Sequence, residues 1–256
     1  MAAHIRKAPR KRSAANKWRK TVVLTRNGYL NRFVPETRQL TRTSLKTMLD
    51  RYGMVYVKPV VGSHGVGVMR VDKLAPKSGY SLHSASGIVN KAAFDSLYHL
   101  IVRKSGGKSY LVQRGVHMLR HQGSIFDMRI VAQLNEKRRW QVTGMLARVA
   151  KKGKAVTNGA QGAAIRTVAT VLRPHAGGSG FTSTANKLQA VCLSSARQLH
   201  GAYPFLHELG FDIALDRQLH PWILEVNATP EAIPFAKLPS LTMYRRILRY
   251  RRMNTR

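Results

Sequence analysis

The sequence predicts an α+β fold, and three observations carry that expectation. Runs rich in β-branched residues come in adjacent groups, "MVYVKPVV" then "VMRVD", and later "SYLVQRGV", "SIFDMRIVAQLN" and "RWQVTGMLARVA". Helical periodicity falls between these groups and does not alternate with single strands, the order expected of segregated helices and antiparallel sheets. No internal repeat or heptad runs through the 256 residues, and a 44% hydrophobic content is ample for a core.

The elements follow in chain order. The opening 1–20, with Arg, Lys and His throughout, reads as a basic arm. "TRTSLKTMLDRYG" places Leu45, Met48, Leu49 and Tyr52 at helical spacing, with Thr or Ser as cap and Gly53 as stop. "MVYVKPVV" and "VMRVD" form a hairpin around the glycine-rich tip "GSHGVG". Residues 73–87 read as a loop, and "NKAAFDSLYHLIVRKSGG" as an amphipathic helix with Asn90 as cap. Three strands follow, with "NEKRR" as a turn and antiparallel pairing expected. "TNGAQGAAIRTVATVLRPHAGGSG" reads as a small, glycine-rich wrapping segment. Then comes a long helix with Leu188, Val191, Ser195 and Leu199 on one stripe, and finally two strands, "FDIAL" and "PWILEVN", joined at 216–220. The expected organisation is a basic arm over 1–20, a body over 21–240 with a small lobe near 45–115 and a large lobe near 116–240, and a basic tail over 241–256.

A formal charge of +33, from 44 Lys and Arg against 11 Asp and Glu, draws polyanions without choosing among them. The charge is densest at the two ends, which read as solvated arms able to hold a polyanion. One cysteine, Cys192, excludes an internal disulfide, and no Cys/His cluster has zinc spacing. No export signal or run of about 18 apolar residues stands out, so a soluble, cytoplasmic protein is expected.

Chemistry gathers where the acids do. Five of the 11 carboxylates fall between Glu208 and Glu231. In an antiparallel pair, Glu225 and Asn227 share one face and Asp212 can share it from the neighbouring strand. That is an all-oxygen set suited to Mg²⁺. The competing reading pairs these acids with the abundant arginines. Asp127 and Arg129, two apart on one strand, read as a structural ion pair when taken alone. In "GSHGVG", Gly62, Gly65 and Gly67 expose backbone amides that can cradle phosphate, although turns use glycines too. Lys58, four residues earlier, adds a cation. Arg148 and Asn158 offer another cation and an amide. Arginines facing a triphosphate and metal stabilise charge in phosphoryl transfer.

These residues, in this order, resemble the ATP-grasp superfamily, and more closely its YheC/YheD type associated with endospore coats. The likeness runs from "FVPETRQL" to "EVNATP". It is carried by "YVKPVVGSHGVGV", "YLVQRGV", "FDMRIVAQLNEKRRWQVTGMLARVA", "TNGAQG" and "ELGFDIALDRQLHPWILEVNATP", where Glu225 stands thirteen positions after Asp212. The resemblance implies two α+β lobes sandwiching ATP. It assigns Lys58 to the phosphates, and Gly62, Ser63, His64, Gly65 and Gly67 to a flap over them. Gln113 through Val116 would line the adenine hinge, and Arg129, Arg148 and Asn158 would face the phosphoryl group. Asp212, Glu225 and Asn227 would hold one or two Mg²⁺ ions. The implied reaction activates a carboxylate as an acyl phosphate, which an amine attacks to form an amide. Three departures stand against the pattern. No preceding α/β domain is evident, and no earlier lysine is identifiable, with Arg38 or Lys46 as substitutes. Gly162 is followed by Ala163 where a glycine pair is usual. The expected function is an Mg²⁺-dependent, ATP-binding carboxylate–amine ligase with unknown, acid-leaning substrates. The alternative is a non-catalytic coat or polyanion-binding protein, with spore association implied by the family. A nucleic-acid binder ranks third, lacking a reading motif and aromatic platforms.

Overall fold

The computed structural model describes residues 14–63, 65–151 and 162–254. Helix α1 (Lys17–Thr25) starts at Asn16, whose side chain accepts from the Arg19 amide, and a short turn of helix α2 (Gly28–Asn31) follows. Strand β1 (Thr37–Gln39) leads into α3 (Arg42–Tyr52). A Thr41/Ser44 capping box opens α3, and Gly53 closes it at φ 68°, a left-handed position that only glycine takes without cost. Leu45, Met48 and Leu49 are fully buried, as their spacing requires.

The expected hairpin is β2 (Met54–Pro59) against β3 (Met69–Lys73). The stretch expected as a loop to residue 87 instead contains β4 (Tyr80–Ser84), which turns into β5 (Gly87–Lys91). Buried Tyr80 and Leu82 alternate there, a pattern too short to stand out among the polar residues. Asn90 consequently lies in β5, and helix α4 (Phe94–Ser105) begins after Ala93 with no side-chain cap. With β6 (Tyr110–Arg114) the first sheet runs β1-β6-β2-β3-β4-β5, all antiparallel in its pairs. Helices α3 and α4 cover one face, burying Val55, Val57, Val71, Leu97 and Ile101.

The chain then crosses over. Gly115 donates to Met54 O and Leu119 donates to Leu215 O, so residues 115–119 tie the first sheet to the second. A Cβ on Gly115 would lie 2.4 Å from Met54 Cε, so the crossing fits only glycine without displacing Met54. The second sheet holds β7 (Arg120–His121), β8 (Ser124–Leu134), β9 (Trp140–Val149), β10 (Ala164–Arg166), β11 (Glu208–Leu215) and β12 (Pro221–Asn227). Its order is β10-β9-β8-β11-β12, with β7 on β8.

The glycine-rich segment expected to wrap supplies β10 and the start of α5 (Val168–Ala202). Gly177 (φ 64°, ψ −171°) breaks that helical run three residues after Pro174. The predicted stripe Leu188, Val191, Ser195 and Leu199 is wholly buried. Residues of α1, α2 and α5 pack there with Phe126, Ile130, Phe211 and Ile223. On the sheet's other face, a 3₁₀ turn (Ile233–Lys237) and helix α6 (Thr242–Asn254) cover Val131 and Leu146 with Phe235 and Ile247. Both ends expected as solvated arms are built in where described: Ala14 and Lys20 are buried at the first, and Ile247 and Tyr250, in α6, at the second.

Candidate functional site

Three lysines meet one carboxylate at the β12 edge. In α1, Lys17, Lys20 and Leu24 stand three and four residues apart, which places them on one helix face. They line a cavity of about 30 Å³ with Lys58 and Gln113 from the first sheet and Ile223, Leu224 and Glu225 from β12. Lys17 Nζ lies 3.5 Å from Glu225 Oε1 and donates to Gly62 O at the base of the glycine turn. Its backbone amide donates to Val60 O, so α1 is fastened to the first sheet as well. Lys20 is 5% exposed; burial pulls its pKa down to about 8 against the pull of Glu225. Lys58 is likewise lowered by burial to about 8, opposed by Glu225.

Lys58 owes its reach to an irregularity. Asp212 pairs with Glu225, yet Ile213 pairs with Ile223, so Leu224 is an extra residue in β12. Its carbonyl accepts from Lys58 Nζ at 3.2 Å, a link between the two sheets. The same pairing puts Glu225 beside Asp212, and Asn227 beside Gly210, on one face.

The glycine turn is exposed, with Val61 at 60% and Val66 at 74%. Gly67 has φ 75°, and a Cβ there would lie 2.6 Å from Tyr110 Oη. Ser63 O accepts from the Val66 amide. His64 and Asn158 lie outside the described residues.

The second sheet holds the arginines. Register opposes Asp127 to Arg148 and Asp212 to Arg129. The structural pair is therefore Asp127–Arg148, bidentate at 2.8 and 2.5 Å, and not the Asp127–Arg129 pair expected along one strand. Arg148 Nη2 also reaches Asp212 Oδ2 at 3.1 Å, and Arg129 Nε lies 2.6 Å from Asp212 Oδ1. Burial alone would raise the Asp212 pKa, but Arg129 and Arg148 bring it below the usual carboxylate range. Desolvation opposes the charge on Arg148, yet Asp127 and Asp212 fix it more firmly.

Of the remaining expectations, Gln113 lines the cavity and spends an amide proton on Thr37 Oγ1 at 3.0 Å. Val116 is buried in the crossing segment and is not among the cavity's lining residues. Arg38 is held by Glu36 and Lys46 by Asp50 on the outer surface, and neither lines the cavity. Lys17 and Lys20 do line it. They were hidden within the presumed arm, although an asparagine cap followed by Lys17, Lys20 and Leu24 is a readable helix face. At the crossing, Arg114 is sandwiched with its guanidinium 5.1 Å from the Tyr52 ring centre and 4.8 Å from that of Trp222, one ring from each sheet's side.

Asp212, Glu225 and Asn227 offer the oxygen chemistry a hard divalent cation takes, and Asp212 Oδ1 is a buried oxygen without an aligned hydrogen-bond donor. Among the described residues no three His, Cys, Asp or Glu side chains stand close enough to form a metal cluster, so the amide of Asn227 is needed to complete the set.

Residues 10–253 match the family model described as YheC/D like ATP-grasp, and the chain belongs to that family. It is 24% identical over 222 residues to the endospore coat-associated protein YheD of Bacillus subtilis (strain 168), covering 84% of this chain and 48% of YheD. To YheC of the same organism it is 24% identical over 230 residues, covering 86% and 61%. The chain spans about half to three-fifths of these relatives. Among solved structures, D-cycloserine synthetase DcsG superposes with a TM-score of 0.62 at 12% identity, over 94% of this chain and 71% of that one. The ATP-grasp ligase PsnB, solved with precursor peptide PsnA2 and AMPPNP, gives 0.54 at 15%, over 97% and 62%. The fold is therefore the ATP-grasp α+β fold. No described helix is long and apolar enough to cross a membrane.

Proposed function

We propose that the protein binds Mg²⁺-ATP and joins a carboxylate to an amine. The observation that carries this reading is the convergence of Lys17, Lys20 and Lys58 on the single carboxylate of Glu225, beneath a glycine turn and beside a buried arginine cluster. Three ammonium groups against one carboxylate leave a local excess of positive charge that a polyphosphate neutralises. The likeness to DcsG, a synthetase, and PsnB, a ligase, favours ligation over simple binding. The names of the relatives favour an association with the endospore coat.

In this reading Lys58 and Lys17 hold the phosphates, the turn 62–67 covers them, and Arg129 and Arg148 stabilise charge on the transferring phosphoryl group. Asp212, Glu225 and Asn227 would hold Mg²⁺, which neutralises phosphate charge. A substrate carboxylate oxygen attacks the γ-phosphorus and ADP leaves. The amine then attacks the acyl carbon, phosphate departs and the amine proton is released, giving the amide. A cavity of about 30 Å³ has room for a water, whereas nucleotide-sized pockets need on the order of 300 Å³ or more. Admission of ATP must therefore part α1 from β12 and break the Lys17–Glu225 contact.

Glu225→Gln should abolish ADP release in a screen with Mg²⁺, ATP, pooled amino acids and acidic polymers, with an unchanged circular dichroism spectrum. Normal turnover in that variant overturns the assignment. Lys58→Met should weaken ATP binding by about tenfold or more, as loss of a charge-assisted contact to phosphate does.

A further inference from the structure

Helix α6 is anchored on one side and bare on the other. Its inner side buries Ile247 and Tyr250, sets Arg251 on Glu208 at 2.8 Å, and donates from Asn254 Nδ2 to Leu134 O at 2.9 Å. Its outer side exposes Arg245, Arg246 and Arg249, and among the described residues none of these three has a carboxylate partner within ion-pair distance. On the first sheet's surface some cations are paired: Arg42 with Asp95, and Lys46 and Lys73 with Asp50.

The position of the α6 arginines ties them to the site. Val131 and Leu146, which α6 and the 3₁₀ turn cover, lie two residues from Arg129 and Arg148 on the same sheet face. The start of α6 touches mid-β9, where Met145 N donates to Met243 Sδ. Its end reaches the β8–β9 turn, where Lys137, Arg138 and Arg139 are exposed. A line of cations therefore runs from beside the arginine cluster to that turn, along a helix about 20 Å long.

We propose that this line docks an acidic polypeptide in extended form and leads one of its carboxylates to the arginine cluster. Alternate side chains of an extended chain stand roughly 7 Å apart on one face, close to the roughly 6 Å rise from Arg245 to Arg249. Guanidinium groups take carboxylates bidentately. Single-stranded nucleic acid fits the surface less well, because it needs open rings for stacking and Tyr244, Tyr250 and Trp140 are all at least partly buried. The choice of a polypeptide rests on the ligase reading, since its carboxylates are at once the contact and the reacting group.

The test is fluorescence anisotropy of a labelled ten-residue polyglutamate peptide with the full chain and no nucleotide. Replacing Arg245, Arg246 and Arg249 together by Gln should weaken binding at least tenfold and flatten its salt dependence. The same three positions as Lys should restore most of both. The proposal is overturned if the Gln variant binds like the wild type, if the loss follows Arg10→Gln, Lys11→Gln and Arg12→Gln instead, or if an oligothymidylate of equal length binds more tightly with the same sensitivity. Failure of ADP release would leave this readout untouched, so the two readings fail separately.

Discussion

The two sides of the site handle buried charge in opposite ways. On the second sheet, Asp127, Arg148, Asp212 and Arg129 offset one another's charge across β9, β8 and β11, each ion set against its partner by strand register. At the β12 edge, Lys17, Lys20 and Lys58 share Glu225, and Lys58 leans on a backbone carbonyl. The first arrangement balances two guanidiniums against two carboxylates and contributes rigidity. The second carries surplus charge at a cost in stability, which is the arrangement expected where an anion is to be bound.

The sharpest way to break this contrast is to remove an acid from the complete side. Asp212→Ala leaves two buried guanidiniums short of a counter-charge and should cost about 3–5 kcal/mol in urea unfolding. A loss below about 1 kcal/mol would show that the cluster is not self-sufficient.

On the surplus side the sign should reverse. Lys20→Met removes a buried ammonium and should stabilise the protein by about 1–3 kcal/mol at pH 7. The pKa of Lys20 falls from 10.5 to about 8 on folding, so between those values the unfolded chain holds the proton that the native state has lost. Wild-type stability rises with pH in that window. The advantage of Lys20→Met should accordingly shrink from pH 8 to 10.5; an advantage constant with pH would refute the assignment of the shift to this group.

The smallest effect concerns the joint between the sides. Arg114→Gln loses the contact to Tyr52 and Trp222 and should cost about 0.5–2 kcal/mol. If closure of the two sheets depends on that joint, the apparent KM for ATP should rise with little change in kcat, an outcome simple surface destabilisation would not produce.

Most of the fold was legible because its signals are local. The capping residues and buried stripe of α3, the glycine tip, and the stripe of α5 each sit within one short window. What was missed has a different physical origin. Strands β4 and β5 are short and half-exposed, so polar residues mask their alternation. The partner of Asp127 depends on cross-strand register, which spacing along a single strand cannot supply. Lys17 and Lys20 were obscured by the surrounding charge, which drew attention away from the helix face they share with Leu24. The acids Asp212 and Glu225 were found because carboxylates are scarce in this chain; the expected arginine pairing holds for Asp212, which lies in an arginine clasp, while Glu225 faces lysines.

The extra residue at Leu224 lets two residues that stand two apart face opposite ways. Ile223 and Glu225 are two apart and in a regular strand would point the same way, yet Ile223 faces the apolar interior while Glu225 stands beside Asp212. Excising Leu224 alone would leave both faces as they are, because Ile223 and Glu225 would then be neighbours in a regular strand, and would take away the bulged carbonyl that Lys58 Nζ reaches. A variant shorter by that single leucine would keep Glu225 beside Asp212 and lose the link that ties Lys58 to the second sheet.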